Sequence, residues 1–152
     1  MTQQMNKNRK AFLDMVAVSE GTKGMGDDGY NIIVGGALFH SYADHPRKKI
    51  FIRSINNYST AAGRYQVLEW IFDHYKDALK LPDFSPESQD RIALQLIKEC
   101  RALGDIDAGR LDLVIYKCRS RWASFPGAGY GQGETKLDKL RKAYLDAGGT
   151  IV

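Results

Sequence analysis

Three short stretches hold the residue types from which chemistry could be built: Ser19-Glu20-Gly21-Thr22, the run from Ser59 to Gln66, and the run from Trp122 to Gln132. Each is a weak signal alone. Glu20 stands out because its place in the chain is unfavourable on ordinary grounds. Phe12, Met15, Val16 and Ser19 recur at helical spacing and Gly21 supplies a break, so Glu20 falls on the last turn of a helix. That end of a helix favours cations, so helix stability does not explain an acid there. A carboxyl partly buried at an apolar helix end would shift towards its protonated form and could then deliver a proton near neutral pH.

Other groups are less specific. Asp27 and Asp28 lie in the glycine-rich stretch Gly24 to Gly36, where surface aspartates are expected, yet either could serve as a second carboxylate. Ser59 and Thr60 could cap a helix or meet a ligand at its start. Gln66 could be a surface amide or a contact residue, and Gly63 could simply allow close packing. Tyr30 and Tyr130 offer apolar faces with polar tips, suited to stacking on a ligand. His40, His45 and His74 make no metal-binding pattern, and Cys100 and Cys118 are too few for a disulfide scaffold. They read as buried thiols, with a disulfide as the lesser alternative. No phosphate-loop ending follows any glycine-rich stretch, which argues against nucleotide binding. No cofactor or metal is expected.

The elements that must position these residues are mostly helical. After the first helix, Tyr30 to Val34 and Lys49 to Arg53 read as short strands, with Asp44-His45-Pro46-Arg47 as a turn between them. They predict a small antiparallel lobe of two or three strands over roughly 30–58. A helix capped by Ser59 or Thr60 should run to about Leu79. Another should start at Ser85-Pro86-Glu87 and carry Ile92, Leu96 and Leu103 on its inner stripe. Leu111, Val114, Ile115 and Cys118 mark a short helix, and a last one should run from Glu134 to Gly148-Gly149. Phe125 to Gly133 should be a surface loop, with Trp122 in the core.

The 152 residues suit one domain over 1–152, and 43% hydrophobic with 26% charged residues is an ordinary globular mix. The net charge of +4 draws the chain towards polyanions, but nucleic acid, anionic membranes and bacterial cell wall all qualify. Lys7, Arg9 and Lys10, and Arg47, Lys48, Lys49 and Arg53, read as solvated clusters. The apolar stretch Ala11 to Val18 is interrupted by Asp14 and no cleavage site follows, so neither a secretory signal nor stable membrane insertion is expected.

Taken together, the motifs resemble the lambda-lysozyme family of phage endolysins. The likeness runs nearly the whole chain in order: Arg9 to Met15 before the glutamate, Ile33-Val34-Gly35-Gly36, Asp44 to Lys48, Gly63 to Gln66, Asp83 to Pro86, and Trp122 to Gln132. The resemblance implies an α+β, lysozyme-like fold, mostly helical, with a small antiparallel β lobe flanking the substrate cleft. It also implies a lytic transglycosylase that cuts peptidoglycan between N-acetylmuramic acid and N-acetylglucosamine and leaves a 1,6-anhydro end. The family's catalytic glutamate falls on Glu20, with Tyr30, Ser59, Thr60, Gln66 and Tyr130 as candidate substrate contacts. The expected partner is the glycan strand rather than nucleic acid. A monomer made in the host cytoplasm and released to the periplasm by a separate phage holin completes the scheme.

The competing enzyme class is a hydrolytic muramidase. Phage T4-type lysozymes place an aspartate nine residues beyond their glutamate and a threonine six further on. Here those positions hold Gly29 and Gly35, leaving only Asp27 or Asp28 to act with Glu20 in a hydrolytic scheme. Val18 and Asn31 also depart from the family pattern, at the expected cleft rim.

Overall fold

The computed structural model describes residues 5–129 and 133–152. Tyr130, one of the expected sugar contacts, lies outside the described residues. Six α-helices, a single 3-10 turn (Arg53–Ile55) and one two-stranded sheet are found among them.

Helix α1 spans Lys7–Glu20. Asn6 starts it by accepting the Arg9 N–H at 2.9 Å, which satisfies one of the unpaired donors of the first turn. Gly21, at φ +77°, ends it and leaves Glu20 on its final turn, as the spacing required. Strands β1 (Ile50–Ile52) and β2 (Asn57–Ser59) pair antiparallel, with Phe51 opposite Tyr58. The other helices are α2 (Glu69–Leu79), α3 (Pro86–Glu99), α4 (Leu103–Asp107), α5 (Leu111–Cys118) and α6 (Leu137–Asp146).

Four expectations need correction. No strand forms over 30–34; that stretch makes isolated bridges, Ile32 with Leu38 and Ile33 with Ala62, because the chain reverses at Gly35 and Gly36. The helix expected from Ser59 or Thr60 begins only at Glu69. The intervening residues fold into a tight turn closed by Ala62 and Val67, with Gly63 at φ +83° and Gln66 at φ +53°, values no right-handed helix can hold. Thr60 still supports α2, accepting the Glu69 N–H at 3.0 Å from nine residues back. Leu103 does not extend α3, since Arg101 at φ +57° stops that helix, and α6 begins at Leu137 rather than Glu134.

The chain divides into two compact units, residues up to Ser19 with those from Ala93 onward, and Glu20–Ile92. In the first, Phe12 and Trp122 pack on the fully buried Phe125, with ring centroids 6.3 and 5.4 Å away. Leu111, Val114, Ile115 and Cys118, the inner stripe of α5, are all buried there; Cys100 is only half-buried, and both thiols are free. The Glu134 carboxylate accepts the N–H groups of Gly127 and Gly129 at 3.0 and 3.2 Å. In the second unit, Phe39, Phe72 and Phe84 cluster around the buried His45. Val67 O and the Arg47 N–H occupy the two ring nitrogens of His45. No helix among the described residues is long and apolar enough to cross a membrane.

Candidate active site

The second unit holds a pocket of about 280 Å³ lined by Glu20, Gly21, Thr22, Met25, Ile32, Ile33, Gly35, Gly36 and Gln66. Its polar character comes from the Glu20 carboxyl, the Gln66 carboxamide and exposed glycine backbone. Its apolar wall is Met25, Ile32 and Ile33. Glu20 is half-buried there, and it is the one carboxylate among the described lining residues.

The backbone just beyond Glu20 is anchored. Thr22 is 2% exposed and its hydroxyl donates to Arg64 O at 2.6 Å. Gly29 packs against it so closely that an added Cβ would stand 2.8 Å from both Thr22 Cβ and Thr22 O, and its φ is +90°. Arg64 is the keystone of this stretch. Its side chain, 3% exposed, donates to Asp28 O at 2.9 Å and to an Asp28 carboxylate oxygen at 3.2 Å. Its guanidinium also lies over the rings of Tyr30 and Tyr65, 5.3 and 5.7 Å from their centroids. Its backbone N–H donates to Gln89 Oε1 at 2.9 Å, while the Gln89 amide nitrogen bonds Tyr30 O and Phe84 O.

Behind this arrangement sits Asp90, which accepts from the Tyr65 hydroxyl at 2.5 Å and the Tyr30 hydroxyl at 2.8 Å. Burial raises the Asp90 carboxyl above its ordinary range, only partly opposed by the two tyrosine hydrogen bonds and the Arg64 charge. Burial and the Asp90 charge push the Tyr30 hydroxyl up to about 12.

The candidate residues therefore separate. Glu20 and Gln66 line one pocket. Tyr30 is half-buried in the Arg64–Asp90 network and stands edge-on to Tyr65 at 6.3 Å, outside the lining residues. Ser59 accepts the Ala61 N–H at 3.2 Å, and Thr60 is occupied at the start of α2. Asp27 accepts the Tyr42 hydroxyl at 2.6 Å. Burial pulls the Asp28 carboxyl up, but the Gly24 N–H, Lys23 and Arg64 outweigh it and hold the group below the usual carboxylate value. Neither aspartate lines the pocket.

Sequence reasoning missed Thr22, Arg64, Gln89 and Asp90. The Gly63-Arg64-Tyr65-Gln66 run was visible, but nothing in one dimension distinguishes a buried arginine from a surface one. Asp90 meets its partners only when α3 docks, across separations of 25 and 60 residues.

This mostly helical chain with one short antiparallel hairpin has the fold of lambda lysozyme. The structure overlays on bacteriophage lambda lysozyme complexed with a chitohexasaccharide at a TM-score of 0.96, with 50% identity and 99% of both chains covered. A second structure, lysozyme from bacteriophage lambda, overlays at 0.90 with 49% identity and the same coverage. In sequence, the endolysin of Escherichia phage lambda is 51% identical over 97% of this chain and 96% of its own length. The endolysin of Escherichia phage P2 is 50% identical over 95% and 94%. Residues 10–151 match the Endolysin family model, and the chain belongs to the Endolysin family.

Proposed function

We propose that this chain is a phage endolysin acting as a lytic transglycosylase, cutting peptidoglycan between N-acetylmuramic acid and N-acetylglucosamine with Glu20 as acid and then base. The observation that carries the reading is a pocket with Glu20 as the one carboxylate among its described lining residues, while Asp27 and Asp28 are engaged elsewhere. A hydrolysing glycosidase needs a second carboxylate, as nucleophile or as base for water. Attack by the muramic acid's own 6-hydroxyl needs neither. Glu20 protonates the glycosidic oxygen as the C1–O bond breaks. The resulting carboxylate then takes the proton of the 6-hydroxyl as its oxygen bonds C1, leaving a 1,6-anhydro ring and restoring the acid.

The matched lambda lysozyme complexed with a chitohexasaccharide supports an N-acetylated β-linked glycan as ligand here. We further propose that the chain works as a monomer and reaches the cell wall from the host cytoplasm through a membrane lesion made by a separate holin. The net charge of +4 suits attraction to an acidic wall.

Digestion of purified murein followed by mass spectrometry of the products tests the reaction. Anhydro-terminated fragments are expected from the wild type and none from Glu20→Gln. Reducing termini would instead establish hydrolysis. Expression with and without membrane permeabilisation tests the route, since lysis before permeabilisation would overturn holin dependence.

A further inference from the structure

The two cysteines stand at the ends of two helices of the first unit, outside the unit that holds the Glu20 pocket. Cys100 directly follows α3, and its N–H still donates to Leu96 O at 3.1 Å. Cys118 is the last residue of α5 and is fully buried. Side chains tie these two helix ends together on both sides of the cysteines. The Lys117 ammonium donates to Arg101 O at 3.2 Å, and the Arg121 guanidinium donates to the Glu99 carboxylate at 3.1 Å. The neighbours of one cysteine are thus bonded to neighbours of the other, and the thiols themselves meet, Cys100 being the hydrogen-bonding partner of Cys118. Packing accounts for Cys118, which belongs to the apolar inner stripe of α5. It does not account for a second thiol, at a partly open helix end, set against the first.

We infer that Cys100 and Cys118 are an oxidisable pair, made as thiols and closed to a disulfide by exchange with a small-molecule disulfide such as oxidised glutathione. The partly open Cys100 reacts first. Its thiolate attacks one glutathione sulfur, the glutathione S–S bond breaks, and one glutathione thiolate leaves. The Cys118 sulfur, on losing its proton, then attacks the Cys100 sulfur and displaces the second glutathione thiolate. The protein gives up two electrons and two protons, and one oxidised glutathione becomes two reduced ones. Burial holds the Cys118 thiol far above its ordinary value, against the pull of the Arg121 and Lys117 charges, so the second step is the slow one. The new bond closes the 17 residues 101–117, which include α4 and most of α5, and stabilises the chain chiefly by restricting its unfolded form. On the route proposed above, the pair stays reduced in the cytoplasm and closes in the oxidising periplasm. The exchange chemistry is independent of that route.

The test incubates native, reduced wild type, Cys100→Ser and Cys118→Ala with oxidised glutathione and quenches with acid. Intact mass, peptide mapping without reductant and melting by circular dichroism are then measured. The wild type should pass through a single glutathione adduct and end two hydrogens lighter than the reduced chain, with the peptides of Cys100 and Cys118 linked. Cys118→Ala should stop at the adduct, and Cys100→Ser should stay unmodified. The linked wild type should melt about 6–12 °C above its reduced form, whereas Cys100→Ser should melt alike with and without reductant. A native wild type that stays reduced, or keeps the adduct without forming the link, overturns the inference. So does a link that forms only in urea, or one that leaves the melting temperature unchanged. The wild type and Cys100→Ser, altered only at a partly open position, decide the matter even if Cys118→Ala fails to fold.

Discussion

Replacing Arg64 by methionine keeps most of its length and removes its charge, and the structure indicates what should follow. The guanidinium loses hydrogen bonds to Asp28 at 2.9 and 3.2 Å and to the Tyr65 hydroxyl at 3.3 Å, together with its place over two aromatic rings. Removing one partner of a buried ion pair costs about 3–5 kcal/mol. The Asp28 side chain is 46% exposed, so water can resolvate it, which lowers the expected loss to about 2–3 kcal/mol. For a chain of this size that corresponds to roughly 5–10 °C in melting temperature.

The loss should also depend on pH. Asp90 already sits above its ordinary range, and Arg64 is one of the groups restraining it. Without Arg64 it rises further. A carboxyl whose folded-state value exceeds its unfolded one contributes stability at low pH that is lost as pH rises through the folded value. Thermal denaturation followed by circular dichroism at pH 5 and pH 8 should therefore show the larger deficit at pH 8, and Asp90→Asn in the same background should recover part of it. An unchanged midpoint, or a deficit equal at both pH values, would refute the reasoning.

Further outcomes follow from single features. Asp105, with a side chain 9% exposed, is held below the ordinary carboxyl value by Lys117 at 2.6 Å and Arg110 at 2.9 Å. Its contribution is present above the ordinary value and disappears as pH falls through the lowered one. Asp105→Asn should thus cost about 2 kcal/mol in urea denaturation at pH 7 and converge with the wild type in strong acid. Gly63→Ala places a Cβ at φ +83° against the Gln89 side chain and the Phe84 ring, and should lose about 2–4 kcal/mol by the same measurement. Burial, followed by the neighbouring Cys100, raises the Cys118 thiol far above its ordinary value. An alkylating reagent at pH 8 should therefore modify native protein at Cys100 alone, and mass spectrometry of Cys118 before and after unfolding checks this.

What the chain revealed in one dimension depended on how local the cause was. The first helix and its end at Glu20 rest on apolar spacing and one glycine, so they were legible. The start at Pro86 and the inner stripe of α5 were equally so. The turn over 61–67 was not, because Gly63 and Gln66 take positive φ in a fold where Gln89 and Phe84 crowd one side, and helical propensity pointed elsewhere. Tyr30 was read as a stacking candidate from its amphipathic ring, whereas its hydroxyl is committed to a residue 60 positions away. The Glu20–Gln66 pairing was suggested by resemblance. The placing of the Gln66 amide nitrogen, which donates to Gly63 O and Ile32 O at 2.8 and 3.3 Å, required coordinates.

The contact between Gly29 and Thr22 has an evolutionary consequence. Gly29 occupies the position where a T4-type hydrolase would carry its aspartate, yet here even a methyl group would strike Thr22. Any L-residue there would also have to take φ +90°. A point mutation therefore cannot graft that hydrolytic acid onto this framework. The loop would first have to be redrawn, so a carboxylate at that place would need several coordinated changes at once.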